Sequence, residues 1–414
     1  MRTWQRIAAL CVALLALPAA AEPVRTISLA DALKLAVEYN PDFKSTGYDV
    51  RSAQGAVVQA SVLPNPSLLV GSLASPVKPL GGPVPNQFGL NFTIPVGGKI
   101  SAATAAAEAG LDAAKATREG ARRTLVFNVQ TSFVALQLAQ LLLDFAKQDQ
   151  GGFHRELDLN ELRYKDGKIA FGDLLKLRIQ AVTTDDEVRE AVVQLENARA
   201  DLRRVIGEDV LADDFQILGE LVAPQAPKLE AIDQLLTKAL SKRPDYLALL
   251  EQEKSAQSAL SAARRAPIPD LSFLLDYNRP QEGVPPSYDL LLTVPLPIFD
   301  RNQGNVIQAE ATLEKAKLAE VSLRTQLRSD LWKGVQEWQA ASSLLAVYQG
   351  GVVDAAKESL DIRKHAYDLG TGTLLDYLDA EASYRQIESA FRSAFARTVN
   401  AANNIQFATG EVLP

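Results

Sequence analysis

Tyr367-Asp368-Leu369-Gly370-Thr371-Gly372-Thr373 is followed by a helical pattern that runs almost to the end of the chain. Positions 377, 384, 391, 398 and 405 read Tyr, Tyr, Phe, Thr and Ile; positions 380, 387, 394, 401 and 408 read Ala, Ile, Ala, Ala and Ala. Large residues alternating with small ones at heptad spacing form the seam of a coiled coil. The small ones let a partner helix approach closely. The glycines ahead of the seam end a helix arriving from the other side. The stretch therefore reads as the tip of a long helical hairpin.

The same stretch occurs once more, 203 residues earlier: Tyr164, Gly167, Asp173 and Leu175 precede Tyr367, Gly370, Asp376 and Leu378 by that distance. A second seam follows through Leu174, Leu177, Ala181, Thr184, Val188, Ala191, Leu195, Ala198, Leu202 and Val205. Both copies stop at a glycine, Gly207 and Gly410, as a helix C-cap requires. The chain is a tandem duplication of one helical hairpin.

Other elements repeat too. A helix over Ile27–Asn40, with Ser28 as N-cap and Asp31 behind it, has its counterpart over Leu229–Arg243; Pro41 and Pro244 end them. Helices over Asp42–Val62 and Asp245–Ala266 share Ser-Ala-Gln at 52–54 and 255–257. They close on Pro64-Asn65-Pro66 and Pro267-Ile268-Pro269, where proline forbids further helix and turns the chain extended.

Strands follow in each copy, at about 67–73 and 87–94, then at 271–278 and 288–294. Phe88, Leu90, Phe92 and Ile94 alternate with Gln87, Gly89, Asn91 and Thr93, the pattern of a membrane-spanning barrel strand. Helices resume after Pro95 and Pro297, and Ala107-Glu108-Ala109, Leu111 and Ala114-Lys115 recur as Ala309-Glu310-Ala311, Leu313 and Ala316-Lys317. The hairpins span residues 99–206 and 301–408. Each descending limb of ~65 residues reaches about 100 Å if unbroken. Gly151-Gly152 and Gly350-Gly351 are the expected interruptions. Residues 22–207 and 229–414 form the two repeats, joined by an acidic, proline-containing linker at 208–228.

Residues 1–21 have the form of a secretory signal: Arg2 and Arg6, an apolar run from Ile7 to Leu17, then Ala19-Ala20-Ala21. The single cysteine, Cys11, lies within that run and is preceded by Leu10 rather than a small residue, so no N-terminal lipid is expected. Losing both arginines takes the net charge from −7 to −9, which argues against a nucleic-acid partner. No later segment has 18 consecutive apolar residues. Any membrane crossing must then be a closed β-barrel. Four strands cannot close one, and open edges in lipid cost several kcal/mol per unpaired backbone group. Pooling strands from three copies gives twelve, wide enough for a passage, so a homotrimer is expected.

The duplication, the two proline junctions and the Tyr-x-x-Gly-x5-Asp turns together resemble the TolC-type outer-membrane efflux factors, over essentially the whole mature sequence. Ile94-Pro95-Val96-Gly97-Gly98-Lys99 and Pro295-Leu296-Pro297-Ile298-Phe299-Asp300-Arg301-Asn302-Gln303-Gly304-Asn305 are similar to the cobalt–zinc–cadmium (CzcC-like) branch. The resemblance implies a mostly α fold with a small β part: a trimeric channel whose β-barrel sits in outer-membrane lipid and whose helical barrel extends into the periplasm. It implies docking to a periplasmic adaptor (membrane fusion) protein and an RND-type inner-membrane pump. It also implies passive export, with heavy-metal cations the branch's cargo. Multidrug efflux and type I protein secretion share this architecture, and a periplasmic structural coiled coil would explain the seams but not the strands.

Within that resemblance Tyr164, Gly167, Asp173, Tyr367, Gly370 and Gly372 match the adaptor-docking tip, and Asp376 and Asp379 match pore-lining acids at the gate. Threefold symmetry would bring six carboxylates into a narrow bore, attracting cations. Asp376 has a second reading, as the third residue of a helix capped by Thr373. The first copy has Asp173 but Lys176 opposite Asp379, so the charge belongs to one hairpin. Tyr164 and Tyr367 could bond across the tip or simply pack there. His154 could share a helix face with Asp158 and Glu161, and His365 is the other histidine. Tight metal sites need three or four ligands, and soft ions favour Cys or Met. Neither a metal site nor a cofactor is expected. Gly-x-Ser-x-Gly, His-Glu-x-x-His and a phosphate loop are all missing, so no enzyme is expected.

Overall fold

The computed structural model describes residues 24–71, 87–224, 226–227, 229–280 and 285–411. The leader with Cys11, the end of the first expected strand at 72–73, most of the two strand-connecting loops and the last three residues lie outside that range. The chain order is β1 (Val24–Ile27), α1 (Leu29–Tyr39), α2 (Pro41–Ser61), β2 (Ser67–Gly71), β3 (Gln87–Ile94), α3 (Lys99–Lys165), α4 (Phe171–Ile206) and β4 (Leu211–Ile217). The second half follows as α5 (Ile232–Lys242), α6 (Pro244–Arg265), β5 (Leu271–Asn278), β6 (Ser287–Thr293), α7 (Gln303–Val347), α8 (Val353–Asp368) and α9 (Leu374–Thr409).

Both seams turn inward, with Val188 and Ala198 on α4 and Ala380, Tyr384, Ile387 and Phe391 on α9 only half-buried. Leu174, Leu177, Ala181, Thr184, Ala191, Leu195, Leu202 and Val205 turn inward on α4. Tyr377, Ala394, Thr398, Ala401, Ile405 and Ala408 do so on α9. Ser28 caps α1, its hydroxyl accepting from the Asp31 amide at 3.2 Å. The core itself is duplicated. Ala36, Leu125, Val129, Phe133 and Val205 cluster in the first half; Ala239, Leu327, Leu331, Val335 and Ala408 cluster in the second.

The first core is larger because the expected linker is not featureless. Its Leu211–Ile217 segment forms β4, which pairs in parallel with β1 and buries Leu211 and Phe215 beside Ile27. A four-residue strand and an acidic partner gave no clear periodicity, so the pair was invisible in sequence. One helix among the described residues, α3, is long and apolar enough by length and composition to cross a membrane. Its Val129, Phe133, Leu136 and Leu143 are instead buried in this core.

The two long descending limbs differ. α3 passes through Gly151-Gly152 as one helix of 67 residues, contrary to the expected break. A helical glycine costs only about 1 kcal/mol relative to alanine and inserts no residue. In the second limb a π-helical turn at Tyr348–Val352 separates α7 from α8, with Gly351 at φ 107°. The repeat spacing explains it. Ala107-Glu108-Ala109 recurs 202 residues on, whereas Tyr164 and Gly167 recur 203 on. The second limb therefore holds one extra residue, and a π turn is how a helix absorbs one.

β2, β3, β5 and β6 form one antiparallel sheet in the order β2-β3-β5-β6. The register aligns Phe88 with Tyr277, Leu90 with Leu275 and Phe92 with Phe273, then Phe273 with Leu292 and Leu275 with Leu290. With Leu68 and Val70 of β2 this makes one continuous apolar face. The other face carries Gln87, Asn91, Thr93, Ser272, Asp276, Asn278 and Asp289. The Gln87 amide donates to Asp276 Oδ2 at 2.7 Å, and Asn278 Nδ2 donates to Asp289 Oδ2 at 2.8 Å. The outer edges, β2 and β6, have no partner strand among the described residues.

Candidate functional site

At the tip each limb closes with a glycine in the left-handed region, Gly167 and Gly370, both at φ 73°. The Gly167 amide donates to Tyr164 O and the Lys168 amide to Arg163 O; the Gly370 amide donates to Tyr367 O and the Thr371 amide to Ala366 O. These are matching turns that satisfy the last helical carbonyls. Gly372 has a different reason to be glycine. A Cβ there would lie 3.0 Å from Ala366 Cβ and 3.2 Å from the Tyr367 amide nitrogen, a crowding the turn could relieve only by shifting.

The ascending helices start differently. Thr373 caps α9: its Oγ1 accepts from the Asp376 amide at 3.1 Å and donates to Asp376 Oδ2 at 2.8 Å. The geometry thus gives Asp376 the cap role. Ala170, in the same place before α4, caps nothing with its side chain. Asp173 instead pairs with Lys176 at 3.3 Å. Asp379 is exposed, and its carboxylate makes no hydrogen bond or ion pair among the described residues.

The tyrosines do not bond to each other within the chain. Tyr164 lies against Phe171, ring centroids 5.8 Å apart. Tyr367 donates its hydroxyl to Asn160 Oδ1 at 2.8 Å and stacks on Tyr377 at 5.8 Å. Burial holds the Tyr367 hydroxyl above its ordinary pKa. Asn160 is fully buried and donates to Glu156 Oε1 at 2.9 Å. Glu156, itself buried, forms an ion pair with Lys364. Arg163 reaches Asp368 at 3.1 Å. Three ties therefore bind α3 to α8: Glu156–Lys364, Asn160–Tyr367 and Arg163–Asp368. Sequence reasoning missed Glu156 and Asn160. Their signal was the spacing Phe153, Glu156, Asn160, polar residues at seam positions, where burial demands a partner.

Further along α9, buried Glu381 faces Asp149 and Glu156 of α3, Glu187 of α4 and Arg385 of its own helix. Burial first, then the neighbouring Asp149, pushes its carboxyl up to about 7, and Arg385 opposes the shift. Arg385 is shared between Glu187 at 2.7 Å and Asp149 at 3.6 Å. Asp149 is itself raised by burial. Asp149, Glu187 and Arg385 border a cavity of about 430 Å³ between α3, α4 and α9. His154 does not join Asp158 and Glu161. Its Nε2 meets Asp185 Oδ1 at 2.8 Å, holding that carboxyl below its usual value, while Glu161 pairs with Arg178 at 2.7 Å. Nearest-face arithmetic on one helix missed the partner because it sits across the coiled coil. His365 borders an open surface with Asp354, Glu358 and Asp361. No group of three or more His, Cys, Asp or Glu able to hold a metal occurs among the described residues.

Comparison with known proteins places these features in context. The family model described as outer membrane efflux protein matches the chain twice, over residues 32–208 and 235–411, at the spacing of the duplication. The cobalt-zinc-cadmium resistance protein CzcC of Cupriavidus metallidurans is 27% identical over 387 residues, covering 93% of this chain and 90% of that one. A membrane protein of Pseudomonas aeruginosa superimposes with a TM-score of 0.79 at 20% identity, covering 92% of each chain. CusC, solved in a study of its folding and transmembrane channel formation, also reaches 0.79, at 18% identity over 93% of this chain and 92% of that one. The structural matches establish the fold.

Proposed function

This chain belongs to the outer membrane efflux protein family, and we propose that it is the homotrimeric exit duct of a tripartite system expelling heavy-metal cations. Its relatives are outer-membrane channels rather than enzymes, and the protein resides in the outer membrane with its helical body in the periplasm. One observation carries the channel reading: a sheet with a continuous apolar face and two edges unpaired among the described residues, mounted on helical limbs about 100 Å long. Such a sheet is stable in lipid only when copies close it into a barrel.

The duct is passive. An RND-type pump in the inner membrane supplies the energy, and a periplasmic adaptor joins the pump to the tip turns around Tyr164, Gly167, Asp173, Tyr367, Gly370 and Gly372. Likeness to CzcC supports metal cations as the cargo. Unpaired Asp379 is the gate acid, with Asp376 beside it held by Thr373. Three copies of each would ring the bore and favour cations by charge, with no dedicated metal site.

Deleting the protein and profiling sensitivity to zinc, cobalt, cadmium, copper and several drugs tests the cargo. Selective metal sensitivity is expected; sensitivity to drugs alone would overturn it. For the gate, Asp379→Ala in a planar bilayer should lower cation selectivity, and unchanged selectivity and conductance would remove Asp379 from that role.

A further inference from the structure

The duplication places one repeat-to-repeat seam inside the chain and leaves its counterpart open. Inside the chain, the turn from β3 into α3 meets the turn from α6 into β5. Lys99 pairs with Asp270 at 2.8 Å, and Arg265 Nη1 donates to Gly98 O at 3.1 Å. Ile268 fills the space over Gly97: a Cβ there would fall 2.5 Å from Ile268 Cδ1. Among the described residues, the equivalent turn from β6 into α7 has no such cover. Pro95-Val96-Gly97 is replaced there by Pro297-Ile298-Phe299. Leu296, Ile298 and Phe299 are 73%, 60% and 92% exposed.

This turn is nonetheless held in shape. The Ile298 amide donates to Leu296 O, the Asn302 amide to Asp300 Oδ1, and Asn302 Nδ2 to Ala263 O. A braced turn presenting three large apolar side chains to water is a patch awaiting cover. The counterpart of the α6–β5 turn is the α2–β2 turn, at the opposite edge of the same sheet. There Val62 and Leu63 replace Arg265 and Ala266, and Asn65 replaces Ile268. Val62 and Leu63 are also exposed.

We propose that Leu296, Ile298 and Phe299 seat on Val62 and Leu63 of a second copy of this chain, repeating between copies the seam seen within one. The bulk is exchanged across the contact. Within the chain, Ile268 fills the space that Gly97 leaves; between copies, Phe299 fills the space over Asn65. The Lys99–Asp270 ion pair and the Arg265–Gly98 hydrogen bond give way to an apolar contact. The sheet register supports the pairing, because β6 and β2 are the edges without a partner strand among the described residues, and the start of β2 and the end of β6 lie at the same end of the sheet. This inference rests on the trimer proposed above and names the residues that hold it together.

Paired cysteines test it. In a Cys11→Ser background, Leu63→Cys with Phe299→Cys should shift most of the chain, under oxidation, to a covalent trimer on a non-reducing denaturing gel. Dithiothreitol should reverse the shift, and neither single variant should produce it. Trimers that assemble yet never cross-link would overturn the seam and leave the channel intact; a chain that stays monomeric would overturn both. A cycle of Leu63→Ser, Phe299→Ser and the double variant gives a second readout. The heat resistance of the trimer should fall in each single variant and hardly further in the double, because the contact is shared. Fully additive losses would contradict the contact.

Discussion

At the first tip Lys176 lies within 3.3 Å of Asp173, and Arg178 pairs with Glu161. At the second tip the residues 203 positions on are Asp379 and Glu381, one exposed without a partner and the other buried among acids. The turns themselves match, glycine for glycine. The first limb is an unbroken helix, while the second contains a π turn with a left-handed glycine, and α8 below it buries no residue fully. Duplication preserved the backbone plan and let the charges diverge. The first hairpin is internally neutralised and continuous. The second is held to it by buried polar ties and by an apolar cluster of Phe153, Leu177, Leu374 and Tyr377, and carries the unbalanced acids.

The largest expected effect breaks the comparison at Glu381. In the unfolded chain a glutamate ionises near 4.5, but Glu381 in the fold not until about 7. Between those values the folded state keeps a proton that the unfolded state has lost, so stability falls as pH rises and the penalty is complete above about 7. Glu381→Gln should therefore stabilise the protein at about pH 8, by on the order of 3 kcal/mol at most, and change little at about pH 4. Thermal melts across pH would show it. Arg178→Gln, at the matching place in the first repeat, should show no such profile.

Next comes Glu156. Its removal leaves Lys364 only Asp368, at 3.6 Å, and takes a partner from buried Asn160, so Glu156→Ala should cost about 2 kcal/mol. It should also raise hydrogen exchange in α8 and α9 first. Ser359, its exposed counterpart, should tolerate alanine within about 0.5 kcal/mol. Tyr367→Phe deletes one hydroxyl bond to Asn160 and should cost about 1 kcal/mol while increasing single-channel conductance. Tyr164→Phe should leave conductance unchanged.

The smallest effect sharpens the comparison. Thr373→Ala removes the α9 cap and should cost about 1 kcal/mol by chemical denaturation. Ala170→Thr would supply the cap the first hairpin lacks and should recover a similar amount. Unchanged stability in both variants would show that the difference in capping has no energetic consequence.

Much of the architecture was legible because it is periodic. The heptad seams, the two turns, the alternating strands and the proline junctions repeat at fixed spacing, and spacing survives without coordinates. The β1–β4 pair was not legible, since four residues carry no period. The break in the second limb was legible from Gly350-Gly351, which lie inside the π turn; that it takes the form of a π turn was not, because a drift of one residue in spacing does not say how it is absorbed. At the tip, Gly370, Gly372 and the cap role of Asp376 could be read from local backbone chemistry. The partners of Tyr367 and His154 could not, because Asn160 and Asp185 lie on other helices.

The sequence alone determined the duplicated hairpins, the membrane-facing strands and the shortage of strands that calls for more than one copy. These depend on local propensity and periodicity, which act over a few residues. Tertiary structure alone decided which acid is buried and which stands free, and which turn is covered and which is bare. Those outcomes depend on side chains from distant helices arriving within a hydrogen-bond length of one another, a distance that no spacing along the chain encodes.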